Sequence, residues 1–288
     1  MYSSLSNSFM PLQFGNEKVR YKEHSPTVAL LPYIACYWTV TGEELSIGEK
    51  KYLKVLPDGC IDFIFQEDRS LGCIGKVTGA MSQFADIPIH RSSAFLGIRF
   101  RPGGFHSLFQ VAASSHTGHS ITLSDIDKSW AEIQYRLNEA DDKITLLNTV
   151  LLQKLKHRKS VQNDLPITNL LHHIYQQRGN IKVQQLAKDG FMSTRNVQRL
   201  FLDWIGLSPK TFCRIVRIQF SLRSLLCNRD DSVAEISASF GYSDQAHFIR
   251  EFRNHTGMTP TCYLSDLFKT SSHSAIRIGE NNNNERGN

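Results

Sequence analysis

Two copies of one pattern occupy the last third of the chain: VQQLAKDGFMSTRNVQRLFLDWIGLSP at residues 183–209 and VAEISASFGYSDQAHFIREFRNHTGMTP at residues 233–260. In both copies an Arg-x-Phe is followed by a Gly and then by Ser-Pro or Thr-Pro, and matching residues keep an offset of 50 or 51. Self-similarity at a fixed period indicates one structural unit used more than once. The C-terminal part of the chain is therefore predicted to contain the same unit twice.

Each copy predicts two short helices joined by a tight turn. Ser193 and Ser243 are predicted N-caps, because a serine hydroxyl can accept the free backbone N–H groups of a first helical turn. A second helix is expected to start at each of them, with Val197 and Phe201 facing a core in the first copy and Phe248 and Ile249 in the second. This arrangement is the helix-turn-helix pattern, found twice.

The opposite face of each second helix carries side chains that suit base edges and phosphates. Arginine can bind guanine, and glutamine can bind adenine, through two hydrogen bonds. Residues 167–269 hold 13 Lys/Arg against 8 Asp/Glu, whereas residues 1–166 hold 18 against 17. A basic module beside a nearly neutral one indicates nucleic acid as the partner. The candidate base contacts are Arg195, Gln198, Arg199, Gln245, His247 and Arg250.

The connection between the copies predicts one long helix. Ser208 caps it, Pro209 occupies its first position, and apolar residues continue to about Leu226. Such a helix spans roughly 27 Å, and successive major grooves on one DNA face lie roughly 34 Å apart. The second helix of each copy is the recognition helix of its helix-turn-helix. The two recognition helices are expected to enter adjacent major-groove segments, which gives an asymmetric DNA site of about two turns. A helical bundle that serves only as an interaction module would not need a basic face on both copies.

The front of the chain reads as a β-rich unit. The predicted strands are YIACYWTV, YLKVLP, CIDFIF and AFLGIRF, with turns at Pro57-Asp58-Gly59 and Arg101-Pro102-Gly103-Gly104. With 288 residues and 41% hydrophobic content, an α+β chain of two domains is expected. We expect Trp38 and Phe63 in the core.

Four charged residues flank these strands: Asp58, Asp62, Arg99 and Arg101. They are either hydrogen-bond partners of a small polar effector, or a turn-stabilising Asp58 with ion pairs elsewhere on the surface.

Two helices are predicted after the strands, at Ser124 to Asn138 and at Lys143 to His157. The second carries an apolar stripe that either packs on its own domain or pairs with another subunit as a short coiled coil. The segment SVQNDLP then reads as a linker. The predicted units are a β-rich domain at 1–140, a helix and linker with a dimerisation role at 141–165, a DNA-binding domain at 166–270, and a disordered tail at 271–288.

Several function classes have no support in the sequence. No segment approaches the roughly 20 apolar residues of a membrane span, and the N-terminus lacks the basic and apolar regions of a signal peptide, so a cytoplasmic protein is expected. Phosphate-loop, dinucleotide, metalloprotease and serine-hydrolase motifs do not occur. His116-x-x-His119 is interpreted as a solvated loop, because a closed zinc site needs four ligands. We expect no cofactor, no metal and no enzymatic activity.

The C-terminal pattern resembles the AraC/XylS family of bacterial transcription regulators over residues 168–268, most specifically in ISASFGYSDQAHFIREFRNHTGMTPTCYL. The resemblance implies a seven-helix domain that binds promoter DNA with two recognition helices and regulates transcription, more often as an activator, by contacting RNA polymerase. Carried over by position, the base contacts fall on the six residues above. Plausible backbone or neighbouring contacts are Thr194, Asn196, Asp244 and Arg253.

The front domain is similar to the N-terminal region of some of these regulators in two segments, Pro57 to Phe65 and Gly97 to Gly104. The resemblance implies a small cupin-like barrel that senses a small-molecule effector and forms a homodimer.

Two positions depart from the family pattern. Where the second copy has Phe240-Gly241, the first has Gly190-Phe191, so its turn is expected to be reshaped. Ser237 replaces the usual alanine, and its hydroxyl is expected to bond back to its own helix.

The main hypothesis is a sequence-specific DNA-binding transcription regulator. One alternative is a DNA-repair enzyme of the alkyltransferase kind that has the same DNA-binding domain, residues 166–270, called the reader below. That enzyme needs an activated cysteine beside a base or zinc, and the spacing of Cys36, Cys60 and Cys73 supplies no such set. A second alternative is a redox regulator that works through cysteines.

Overall fold

The front of the chain folds into two antiparallel sheets in the structure, a computed structural model that describes residues 18–68, 72–116, 120–158, 164–227 and 232–270. One sheet has six strands in the order β1-β2-β7-β4-β5-β8, and the other pairs β3 with β6. The strands in these ranges are β1 (Arg20–His24), β2 (Ile34–Thr41), β3 (Lys50–Val55), β4 (Ile61–Asp68), β5 (Gly72–Thr78), β6 (Ala85–His90), β7 (Ala94–Phe100) and β8 (Ser120–Thr122).

The predicted β-rich domain is confirmed, but the described strands do not close into a barrel. β3 and β6 hydrogen-bond to each other and pack face to face on the large sheet. Alternate residues of a strand point to opposite sides, so one side of the large sheet faces this pair. Trp38 and Val40 of β2 meet Leu53 and Ile89 of the small sheet in one buried cluster. Phe63 of β4 is buried on the other side, so both predicted core aromatics are confirmed as core.

Four helices follow the last long strand: α1 (Gly104–Phe109), α2 (Leu123–Ile126), α3 (Ser129–Glu139) and α4 (Lys143–Lys156). The single helix predicted from Ser124 to Asn138 is wrong, because Asp127 has an extended backbone and its Oδ1 accepts the Ser129 N–H at 2.9 Å. The first helix therefore ends at Ile126, and a new helix begins at Ser129.

The apolar stripe of α4 packs on its own chain. Leu147, Val150 and Leu151 are buried in the same core as Phe63, and Ile144 and Leu155 pack against that core. The stripe thus fills the first of its two predicted roles, and pairing with another subunit stays a prediction.

Seven helices fill residues 164–227 and 232–270, as the resemblance implies. They are α5 (Leu165–Gln176), α6 (Val183–Asp189), α7 (Thr194–Ile205), α8 (Pro209–Cys227), α9 (Val233–Ser239), α10 (Gln245–Thr256) and α11 (Pro260–Thr270). The two helix-turn-helix units are α6–α7 and α9–α10, and the 19-residue helix α8 joins them. Ser208 Oγ accepts the Thr211 N–H at 3.1 Å, which confirms the predicted cap of α8.

The two units have different cores. Val197, Phe201 and Phe212 of the first unit and α8 share one continuous buried cluster with Phe63 and Trp130 of the front domain. Packing therefore crosses the predicted boundary at residue 166. The second unit has a separate cluster, built on residues such as Ile236, Phe248 and Phe252. The predicted tail at 271–288 lies outside the described residues.

Candidate nucleic-acid interface

The turn of the first helix-turn-helix has the same backbone as the turn of the second. Phe191 at φ +51° stands where Gly241 has φ +69°, and both turns close with the same three backbone hydrogen bonds. The expected reshaping is therefore wrong. Gly190 explains the reversed order, since a Cβ on it would lie 2.9 Å from Leu170 Cδ2 of α5. Glycine leaves room for this leucine methyl, and the left-handed position then falls to a phenylalanine that is 98% exposed.

The helix caps differ between the copies. Ser193 Oγ accepts the Asn196 N–H at 3.2 Å, as predicted. In the second copy, Asp244 rather than Ser243 caps the helix, because Asp244 Oδ1 accepts the His247 N–H at 2.7 Å. The second turn is one residue longer, which explains why the offset between the copies grows from 50 to 51.

Asp244 is held firmly in this capping role. The His247 backbone N–H and the Ser243 hydroxyl hold the pKa of its carboxyl below the usual range. Its main-chain oxygen accepts the Ser237 hydroxyl at 3.1 Å. The expected bond from Ser237 back to its own helix is therefore wrong, and this serine instead ties α9 to the start of α10.

Both recognition helices expose the predicted faces. On α7, Thr194 is half-buried and the other four predicted residues are exposed: Arg195, Asn196, Gln198 and Arg199. On α10, His247 is half-buried and the other four are exposed: Asp244, Gln245, Arg250 and Arg253. Phe201 and Phe252, on the opposite faces, are fully buried. A helix so anchored presents its polar face to an outside partner.

The two faces are not chemically equivalent. Both helices have 12 residues, begin after a side-chain cap and end at a left-handed glycine, which fixes their alignment at an offset of 51. Arg199 then matches Arg250, but Arg195 matches Ala246. The two recognition helices therefore share one exposed arginine position, and the side chains next to it differ between them.

A network between α8 and α10 was missed by the sequence analysis. Glu251 Oε1 lies 3.1 Å from Arg214 Nε, and its Oε2 accepts Arg217 at 2.9 Å. These residues are 34 or more positions apart along the chain, so helical periodicity alone gave no signal. An acidic residue in an otherwise basic helix, Glu251, was the available hint.

The front domain contacts the reader at the turn before β4. Gln219 of α8 donates to the Pro57 carbonyl at 2.7 Å, and Gly59 lies directly against Phe212. Phe84 reaches the second unit, where it lies against Gly257 at the end of α10. None of these contacts was predicted, because each joins residues more than 100 positions apart.

Behind that turn lies a buried cluster of charges. Arg99 Nε is 3.5 Å from Asp58 Oδ2 and 3.3 Å from Asp62 Oδ1, and Trp38 Nε1 donates to Asp62 at 3.1 Å. Asp58 Oδ1 accepts the Cys60 N–H at 2.8 Å, which confirms its turn-stabilising role. Burial raises the pKa of Asp58 to about 6 against the opposing effect of Arg99. The ion pairs expected at the surface are thus inside the protein.

Arg101 is the fourth of the charged residues that flank the strands. Its Nε donates to the Leu31 carbonyl at 2.8 Å, outside the buried cluster.

Three buried cysteines show the opposite of activation. Burial raises the pKa of the Cys36 and Cys60 thiols well above the usual value, and raises that of Cys213 to about 12.

Within the described ranges, no group of three or more His, Cys, Asp or Glu side chains is arranged to hold a metal ion. His119 lies outside those ranges. No described helix combines the length and apolar character needed to cross a bilayer.

Two recognition helices with exposed polar faces, joined by one long helix, define a double helix-turn-helix DNA-binding protein behind a β-rich domain. A helix-turn-helix domain family matches residues 186–266. The front domain matches a family described as a domain of unknown function, DUF6597, at residues 22–122. The chain belongs to the AraC/XylS family of transcription regulators.

Individual relatives match part of the chain. The probable transcription factor PqrA of Proteus vulgaris is 31% identical over 115 residues, which are 40% of this chain and 92% of that protein. An uncharacterized HTH-type transcriptional regulator of Haemophilus influenzae is 35% identical over 100 residues, 35% of this chain. The chain thus spans only 33% of the length of the Haemophilus protein. A crystal structure of ToxT from Vibrio cholerae is 12% identical with a TM-score of 0.38, covering 88% of this chain and 99% of that one.

Proposed function

We propose that this protein is a sequence-specific regulator of transcription that reads two adjacent major-groove segments of promoter DNA. The observation that carries the proposal is the pair of recognition helices, each buried on one face and exposed on a polar face. Phe201 and Phe252 anchor these helices, while Arg199 and Arg250 stand exposed at equivalent positions. Guanine, with two acceptors in the major groove, is the base that such an arginine favours.

The length of α8 supports simultaneous reading by both helices. Its 19 residues extend about 28 Å at the usual rise of a helix. This length is comparable to the roughly 34 Å between successive major grooves on one face of DNA. One chain would then recognise an asymmetric site of about two helical turns.

The differences between the two helices support two unlike half-sites. At the position where α7 presents Arg195, α10 presents Ala246, whose methyl group suits the C5-methyl of thymine rather than guanine. We therefore expect the half-sites to share the guanine of Arg199 and Arg250 and to differ next to it.

The front domain would adjust this reader in response to a signal. The turn that contacts α8 through Pro57 and Gly59 also holds Asp58 of the buried Arg99 cluster. A small-molecule effector that binds two arrangements of this turn unequally would shift the orientation of the reader. RNA polymerase as a second partner, an activating role and a cytoplasmic location are part of the same proposal.

A catalytic or redox role of the buried cysteines receives less support. A repair nucleophile or a redox sensor needs a thiolate that forms readily. Burial instead raises the pKa of the thiols of Cys36, Cys60 and Cys213.

In vitro selection of DNA by the full-length protein, at fixed physiological salt, tests the proposed function. The expected result is an asymmetric motif of about two helical turns with two unlike halves. Arg250→Ala should erase one guanine from one half. The control Arg136→Ala removes an exposed arginine from α3 of the front domain and should leave the motif unchanged. Salt-sensitive binding without any enriched motif would refute sequence-specific reading.

A further inference from the structure

Glu251 connects the second recognition helix to the linker helix. It lies on the side of α10 that faces α8, where its side chain is only 13% exposed. Each of its carboxylate oxygens forms an ion pair with one arginine. Oε1 lies 3.1 Å from Arg214 Nε, and Oε2 lies 2.9 Å from Arg217 Nη2. The Arg217 side chain is 14% exposed, so this pair is largely shielded from solvent.

The network continues to one of the candidate base contacts, His247. Nε2 of His247 lies 3.7 Å from Glu251 Oε1, one helical turn away, and Nδ1 of the same ring lies 3.1 Å from Ser243 Oγ. The guanidinium of Arg217 also lies 4.4 Å from the ring centre of Tyr242, in the turn before α10. Glu251 is therefore the common partner of the linker helix and of the face that meets DNA.

The first unit is held in a different way. The position equivalent to Glu251 is Leu200, which packs against the apolar core that α7 shares with the front domain. An aliphatic side chain at this position is thus compatible with the fold of a recognition helix. The ionic connection belongs to the second unit, and its purpose is not explained by the packing of a helix-turn-helix as such.

We propose that Glu251 is a positioning and specificity-determining residue for the second half-site. It sets the orientation of α10 on α8, and it keeps the half-exposed Arg214 and the largely buried Arg217 paired with its carboxylate rather than with DNA phosphates. Phosphate contacts raise affinity for every sequence, whereas base contacts discriminate. By holding two cations next to the DNA-binding face, Glu251 makes recognition at that half-site depend on base edges. This inference rests on the proposed function.

The decisive experiment compares full-length wild type with Glu251→Gln and Glu251→Leu, the latter copying Leu200. Each protein undergoes DNA selection and then salt titration on the selected duplex and on a scrambled one. The matched control is Asp203→Asn on α7, which also removes an acidic charge from a recognition helix. No ion pair of Asp203 is found among the described residues.

Both Glu251 variants should lose most of the base preference in the half read by α10 and keep the half read by α7. The ratio of specific to non-specific affinity should fall tenfold or more. The released arginines should make the plot of log affinity against log salt steeper by about 1 to 2, the number of added phosphate contacts. Replacing Arg214 and Arg217 by glutamine in the Glu251→Gln protein should return that slope to its original value.

Other outcomes separate the two ideas. A selected motif and salt slope identical to wild type in both variants overturn the role of Glu251 and leave the proposed function intact. An equal loss in both half-sites with a lower melting temperature means a merely structural residue, and also overturns it. If wild type selects no motif, the proposed function fails and this inference fails with it.

Discussion

Replacing Gly59 by alanine tests the contact between the front domain and the reader. Gly59 has φ +74°, and a Cβ on it would lie 2.5 Å from Cε2 and 2.9 Å from Cδ2 of Phe212. The Phe212 ring is fully buried and packs against Phe201 and Tyr175, with ring centres 5.8 and 6.2 Å away. The ring therefore has no free space into which it can move, and the two domains must separate locally.

The expected destabilisation has two parts. A left-handed backbone costs alanine roughly 1 to 2 kcal/mol, and overfilling a packed core costs about 1 to 3 kcal/mol. The lower entropy of the unfolded alanine chain returns about 0.4 to 1 kcal/mol. We expect Gly59→Ala to lower the free energy of unfolding by about 2 to 3 kcal/mol. At about 2 to 4 °C per kcal/mol, this lowers Tm by roughly 4 to 12 °C.

Gly48 supplies a matched control for this measurement. It has φ +81°, but a Cβ on it would meet no atom within 4 Å, so Gly48→Ala carries the backbone strain without the clash. Calorimetry or circular dichroism on both variants isolates the contact with Phe212. Gly59→Ala combined with Phe212→Leu should recover part of the loss. Equal melting temperatures for the two alanine variants would refute the packing argument.

Three further outcomes are expected. Arg250→Ala should weaken binding to the selected duplex by about 1 to 3 kcal/mol and relax one base position; in fluorescence anisotropy, an equal loss on scrambled DNA would identify a phosphate contact instead. Phe191→Gly should raise the free energy of unfolding by about 0.5 kcal/mol, because relief of the left-handed strain exceeds the entropy cost of glycine; a lower urea midpoint would contradict this. Burial raises the pKa of Asp58 from 3.8 to about 6, so Asp58 contributes stability that is complete below pH 4 and is lost as the pH rises through 6. Asp58→Asn keeps the acceptor for Cys60 and should flatten this part of the urea stability profile, so parallel curves for both proteins would exclude the effect.

The reader was predictable because its signals are local. A helical period, a cap and a turn residue each depend on a few neighbouring positions, so the faces of α7 and α10 followed from sequence. The cap of α10 moved by one residue because Ser243 and Asp244 are adjacent, and both can accept a backbone N–H. The residue types alone do not decide which of the two caps the helix. The geometry of the longer turn decides it.

Half of the described strands were missed for a different reason. β1 reads RYKEH and is an edge strand exposed along most of its length, so it has no apolar alternation to detect. β6 contains Pro88, which is tolerated because the strand pairs with β3 on one side. The network of Glu251 with Arg214 and Arg217 was hidden in the same way, since it depends on how α10 docks on α8.

The separation of the cores bears on which part of the DNA-binding domain the proposed signal in the front domain could move. The first unit shares one buried cluster with the front domain, including Phe201 next to Phe212, so turning it alone would break extensive apolar packing. The second unit has its own cluster, to which the front domain contributes Leu56 and, at its edge, Phe84. Reorienting α10 therefore costs less free energy than reorienting α7, because less apolar surface must be exposed to water. The proposed regulation would therefore adjust the half-site read by α10, beside Glu251, more readily than the half-site read by α7.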